Sequence, residues 1–160
     1  MVDHRTREAA VADARLATAC FDDALAWLAA RPVLTDPLAA EVWVYDSTFT
    51  SVLLVRHPRR GLVAPGGTVE PGETPREAAA RELHEETGVR AELLPAPAAV
   101  AVRSYRADWS PTLSLVYAAV VALAGEPGQP PRWVSLDRTW DSVFPEDRAR
   151  LRAHGRHLAG

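Results

Sequence analysis

The stretch Gly66–Val89, GGTVEPGETPREAAARELHEETGV, decides the reading of this chain. It sets six glutamates, two arginines and four glycines in and around one predicted helix. Thr74 reads as the N-cap, Pro75 as the first helical residue and Glu77 as the third, which completes a capping box. Gly88 reads as the stop, being the residue best able to turn left-handed after the last turn. Inside the helix Glu82, Glu85 and Glu86 stand at i, i+3 and i+4 and share one face. Ala78 lies on the same stripe, and Ala79, Ala80 and Leu83 lie beside it as a packing face. Like charges at that spacing repel, so a positive species is expected between them.

Three carboxylates with no cysteine or histidine among them suit a hard divalent cation, Mg²⁺ or Mn²⁺. Such an ion bridges phosphate oxygens, neutralises charge on a leaving group and lowers the pKa of a bound water. A carboxylate beside that water can take its proton. The chemistry expected of the helix is therefore directed at a polyphosphate. Arg81 falls about 40° from Glu85 on the helical wheel; it either orients a glutamate or reaches phosphate.

Working outward, residues 4 to 30 form an alanine- and leucine-rich arm, with Ala9, Ala12, Leu16, Ala19 and Cys20 at helical spacing. Asp22 is the expected cap of a second helix holding Leu25, Trp27 and Leu28, which ends before Arg31-Pro32. From Glu41 the period changes. Val42 and Val44, then Val52 to Val55, flank Asp46-Ser47-Thr48 and predict a hairpin. Residues 56 to 60 read as a loop and 61 to 64 as a short extended piece. Beyond the helix, strands are expected at 89 to 94, 98 to 106, 112 to 124 and 132 to 135. Phe144-Pro145-Glu146-Asp147 opens a final helix through about His154, with Pro145 in its first turn. This order predicts an α/β (α+β) sandwich, a mixed sheet between helices. Residues 1–38 are expected to be an N-terminal helical extension and 39–160 the catalytic domain. The extension is expected to pack on the domain, to join two copies as a homodimer, or to shape a substrate pocket.

Composition narrows the partners. The 160 residues carry a net charge of −3 and no run of lysine or arginine, which argues against long nucleic acid as a ligand. Cys20 is the sole cysteine, which excludes an intrachain disulfide and a multi-cysteine zinc site; a buried structural thiol is expected. No run of 18 apolar residues suggests a membrane span, and MVDHRTREAA lacks the apolar core of a signal peptide, so a cytoplasmic location is expected.

The pattern Gly67-x5-Glu73-x7-Arg81-Glu82-Leu83-x-Glu85-Glu86-x-Gly88-Val89 matches every specified position of the Nudix box and resembles the Nudix hydrolases. The resemblance extends more loosely over residues 40 to 155 and implies a Nudix-like α/β/α sandwich. It implies Glu82, Glu85 and Glu86 as metal ligands with the carbonyl of Gly66, Glu82 or a neighbouring carboxylate as general base, and Glu73 with Arg81 as a bracing pair. The reaction implied is attack of water on a nucleoside diphosphate linked to another group, cleaving the pyrophosphate bond. Glu126 resembles an extra acidic residue that some sanitising members bring towards the metal. Tyr105, 16 residues beyond the box, resembles the tyrosine of dinucleoside polyphosphate hydrolases, and Trp109 is placed to stack on a base. Arg56, Arg59, Arg60 and Arg103 are the candidate phosphate contacts. The substrate expected is a small nucleotide, foremost a nucleoside triphosphate. Dinucleoside polyphosphate or nucleotide-sugar hydrolysis, and nucleotide sensing without turnover, are the alternatives.

Overall fold

In the computed structural model, residues 1–105, 110–122 and 132–160 are described. Trp109 and Glu126 lie outside them. The elements are α1 (His4–Leu16), β1 (Ala19–Cys20), α2 (Ala24–Ala29), β2 (Ala39–Asp46), β3 (Ser51–His57), β4 (Gly61–Val63), β5 (Gly66–Thr68), α3 (Pro75–Thr87), β6 (Ala99–Arg103), β7 (Thr112–Val121), β8 (Arg132–Ser135) and α4 (Asp147–Ala159).

The sheet runs β1-β6-β7-β2-β3-β4, with β5 added to β2 and β8 to β3. It is mixed: β2 and β7 pair parallel from Ala39↔Ser114 to Asp46↔Val121, whereas β2–β3 and β6–β7 are antiparallel. Strand β2 is buried along its whole length and shows why the sheet is covered twice. Its side chains alternate between faces: Val42 and Val44 join a core with Ala10, Leu28 and Leu83, while Trp43 and Tyr45 join another with Leu54 and Leu151. Thus α1, α2 and α3 close one face and α4 the other, giving the α/β/α sandwich expected.

Several local expectations give way. In α1 the buried face is Thr6, Ala10 and Ala14, not Ala9, Ala12 and Leu16, and Leu16 is 63% exposed. The helix ends there so that β1 can pair parallel with β6, which leaves Cys20 exposed on a strand and not buried in a helix. Asp22 accepts Val102 N–H at 3.3 Å, and Asp23 precedes α2 as the capping position. Residues 89 to 94 form no strand, and the ladder between β6 and β7 covers only Thr112 to Val116 of β7. Instead Leu94 N–H bonds Ala118 O, and the Arg76 guanidinium donates to the carbonyls of Leu94 and Pro95. Helix α4 starts at Asp147, past Pro145, and runs beyond His154 to Ala159.

His154 packs its ring against Trp43 and Tyr45, with centroids 5.7 and 5.8 Å away. Tyr45 Oη donates to Leu151 O at 2.9 Å and lies 3.3 Å from His154 Nδ1. Burial, helped by neighbouring His157, pushes the imidazole down to about 4 from its ordinary 6.5. The unfolded chain therefore binds this proton more readily than the fold does. Stability from this group is full above about pH 6.5 and is lost as the pH falls towards 4. Urea midpoints of wild type and His154→Leu between pH 7 and 4 test this: the wild type should fall more steeply. Parallel slopes would sink the argument.

Candidate functional site

Helix α3 forms as its termini dictate. Thr74 Oγ1 accepts Glu77 N–H while the Glu77 carboxylate accepts Thr74 N–H, and Gly88 takes the left-handed conformation at φ 72°. Ala78, Ala79 and Leu83 are buried, which seats the helix on the sheet and turns the acidic stripe towards β5.

Gly67 of β5 lies directly under Glu82. A Cβ at that position would stand 2.5 Å from Glu82 Oε1 and 2.6 Å from its carboxyl carbon, so glycine leaves the cradle in which the carboxylate rests. One residue earlier, Gly66 N–H donates to Glu86 Oε1 at 3.2 Å. Burial pushes the Glu86 carboxyl up to about 7; Gly66 N–H draws it down, and the charge of Glu82 adds to the rise. Glu82 and Glu86 are thus two acids at close quarters.

Arg81 organises the rest. Its Nε and Nη2 donate to the two Glu73 oxygens at 2.7 and 2.9 Å, a bidentate pair that lowers the Glu73 carboxyl and raises the guanidinium. Arg81 Nη2 also donates to Thr68 O at 3.1 Å, and Nη1 to Glu82 Oε1 at 2.9 Å and Glu85 Oε2 at 3.3 Å. Arg81 thus holds both Glu82, which rests over Gly67, and Glu85, whose side chain is 56% exposed, while Glu86 accepts from Gly66. Among the described residues no three acidic, histidine or cysteine side chains converge as a metal cage. The donor set still fits Mg²⁺, which keeps several waters and takes one or two carboxylates together with substrate phosphate. Glu82, resting over Gly67, and Glu86, facing it, supply those two carboxylates.

A cavity of about 210 Å³ opens beside Gly66, Gly67 and Glu86. Arg56, Arg60 and Tyr105 line it, as do Glu41 and Phe144. Arg60 Nε is buried and finds no hydrogen-bond partner among the described residues, and its Cζ lies 5.5 Å from the Tyr105 ring centroid. Tyr105 stacks edge-on to Phe144 at 5.6 Å and donates to Ser114 Oγ at 2.7 Å. Arg59 is exposed and does not line the cavity. Arg103 does not open to phosphate: its side chain is 8% exposed and pairs with Asp147 at 2.8 Å and Glu41 at 3.7 Å. Glu41 is the wall residue that reading the sequence missed. Burial raises its carboxyl, and Arg103 offsets that only in part. The signal was there, since a glutamate inside the apolar run AAEVWVY must have a partner.

A family model described as the NUDIX domain matches residues 35–154. The chain is 49% identical over 53 residues to YtkD of Bacillus subtilis (strain 168), provisionally an 8-oxo-dGTP diphosphatase. That match covers 33% of this chain and 34% of YtkD, so the chain spans about a third of the length of that relative. Among solved structures, a NUDIX-family hydrolase from Clostridium perfringens superposes with a TM-score of 0.63 at 18% identity, over 78% of this chain and 99% of that one. The C. elegans Ap4A hydrolase superposes at 0.54 and 20% identity, over 78% and 97%. These two likenesses speak for the fold. With the family model spanning most of β2 to α4, the chain belongs to the Nudix hydrolase family.

Proposed function

We propose that this chain is a Mg²⁺-dependent pyrophosphohydrolase acting on a small nucleotide, foremost a nucleoside triphosphate in the sanitising manner. One observation carries the reading: the acids of α3 and the arginine- and aromatic-lined cavity share a wall at Gly66, Gly67 and Glu86. At about 210 Å³ the cavity is smaller than a typical whole-ligand pocket, so it suits one part of a nucleotide, with the phosphates lying outwards over α3. Tyr105 and Phe144 offer stacking surfaces for the base. Arg56 and Arg60 offer charge to the phosphates.

Glu82 and Glu86 are the residues that would hold the cation, with Gly66 contributing its carbonyl and Glu85 available once released by Arg81. The cation supplies charge neutralisation on the phosphates and activation of water. The protein's own part is to hold these carboxylates, through Gly67 and Arg81, and to accept the proton of the attacking water on one of them. The bond broken joins two phosphoryl groups. In this reading residues 39–160 carry the reaction and residues 1–38 support it. The partial likeness to YtkD supports the sanitising substrate. The place of Tyr105 in the cavity wall favours a second reading, a dinucleoside polyphosphate.

The test is release of phosphate or pyrophosphate from nucleoside triphosphates, oxidised nucleotides, dinucleoside polyphosphates, ADP-ribose and nucleotide sugars, with Mg²⁺ and with Mn²⁺. Triphosphates, plain or oxidised, are expected to give the highest kcat/KM. Preference for a dinucleoside polyphosphate would replace the first reading by the second, and no turnover on any would favour a nucleotide sensor.

A further inference from the structure

The loop from Glu70 to Thr74 joins β5 to α3, and three side chains at the start of the arm hold it. Asp3 Oδ2 accepts Gly72 N–H at 2.9 Å while its Oδ1 accepts Thr6 N–H, also at 2.9 Å, as the cap of α1. These N–H groups, Thr6 first, pull the Asp3 carboxyl down to about 2. Arg5 donates to the carbonyl of the same Gly72 and forks onto Glu77, at 2.6 and 3.1 Å. Thr6 is buried, and its Oγ1 stands 2.5 Å from Glu73 O and 2.9 Å from Asp3 Oδ2. Both polar groups of residue 72 are therefore taken by the arm. Gly72 itself sits at φ 81°, where a side chain would be strained although the space beside it is open.

The next link lies inside the signature. Glu73, whose carbonyl faces Thr6, uses its carboxylate to grip Arg81, and Arg81 Nη1 fixes Glu82 and Glu85. Covering the sheet does not require these contacts. Ala10 and Ala14, one and two turns further along α1, already bury the arm against the core. The Arg5 contacts and the bond from Gly72 N–H to Asp3 are exposed and add little to stability by themselves; their leverage is geometric.

We infer that Asp3, Arg5 and Thr6 are positioning residues for the reaction: by fixing the backbone at Gly72 and Glu73 they set where Arg81 holds the carboxylates of α3. The inference rests on the reading of those carboxylates as the cation site. The arm precedes the 35–154 family match, so this bracing is an addition to the shared domain.

The experiment uses the full chain and two single variants. Asp3→Ser keeps an oxygen that caps α1 but is too short to reach Gly72 as well. Arg5→Gln removes the fork onto Glu77 without touching the core. For each, kcat and KM on a nucleoside triphosphate, Mn²⁺ affinity by titration, the urea midpoint and amide exchange at Gly72 are measured. Outer-shell partners of metal ligands typically contribute 10–100-fold to affinity or activity. Both variants should lose about tenfold in kcat and in Mn²⁺ affinity. KM should move less than about twofold, Gly72 exchange should speed up and the urea midpoint should stay near wild type. Wild-type kcat and Mn²⁺ affinity in both variants would overturn the inference, as would losses that follow a lowered urea midpoint. If the wild type turned over no nucleotide, the proposed reaction would fail by itself, and Mn²⁺ affinity with Gly72 exchange would still decide the clamp.

Discussion

Glu86→Gln should lower kcat at least about a hundredfold while leaving the fold intact, the effect expected when an essential metal-ligand charge is lost. The glutamine is nearly isosteric, and its oxygen can still accept Gly66 N–H, which Glu86 Oε1 now takes at 3.2 Å. What disappears is the negative charge. In the metal-free fold that charge is unfavourable, because burial and the neighbouring Glu82 both oppose it. The metal-free variant should therefore unfold no earlier than wild type at neutral pH. In the presence of Mg²⁺ or Mn²⁺ the order should reverse, since a cation stabilises the state that binds it and binds the glutamine variant more weakly. Phosphate release and melting curves with and without cation read the two effects separately. Near-normal turnover in a folded variant would remove Glu86 from the site.

The parts of this molecule that were legible in its sequence are those set by local chemistry. Helix α3 is bounded at Thr74 and Gly88 because a capping box and a left-handed glycine act over three or four residues. The β2–β3 hairpin was readable for the same reason. The failures are non-local. Residues 89 to 94 have strand-like composition, yet in the fold Leu94 N–H bonds Ala118 O of β7 without a strand forming. Ala9 and Ala12 offer as good a helical stripe as Ala10 and Ala14, so which alanines face inwards depends on where the arm docks. The bonds from Asp3, Arg5 and Thr6 to the signature loop span 67 to 72 residues of chain, and no spacing rule reaches that far. For the site, the carboxylates and Arg81 were visible as a pattern. That Arg81 would hold Glu82 and Glu85 together through one nitrogen while Glu86 accepts from Gly66 was not, because it depends on how the guanidinium is also fixed by Glu73 and Thr68.

Arg103 marks the same boundary and supports the largest stability prediction. As one of four arginines near the substrate region it reads as a phosphate contact, yet it stands under the cavity wall. Nη2 bonds Asp147 Oδ1 at 2.8 Å and Glu146 Oε1 at 3.1 Å, Nη1 bonds Asp147 Oδ2 at 3.2 Å, and Cζ lies 4.0 Å from the Phe144 ring centroid. Glu41, two strands away on β2, approaches Nη1 at 3.7 Å, and its side chain is 5% exposed. One cation therefore balances two buried acids, Glu41 and Asp147, and ties β6 to the first turn of α4. Arg103→Met keeps the apolar stem but leaves both acids uncompensated, and breaking a buried pair this way costs about 3–5 kcal/mol. Urea unfolding at neutral pH should show that loss. The double variant Arg103→Met with Glu41→Gln should recover part of it, because one orphaned charge is removed and the two changes are coupled through contact. A loss under about 1 kcal/mol in the single variant would mean that the acids are solvated or neutral without Arg103. The cavity should respond too: with Glu41 released, the wall shared with Tyr105 and Phe144 loses its fixed partner. A weakened nucleotide KM in the folded double variant is therefore expected alongside the partial recovery of stability.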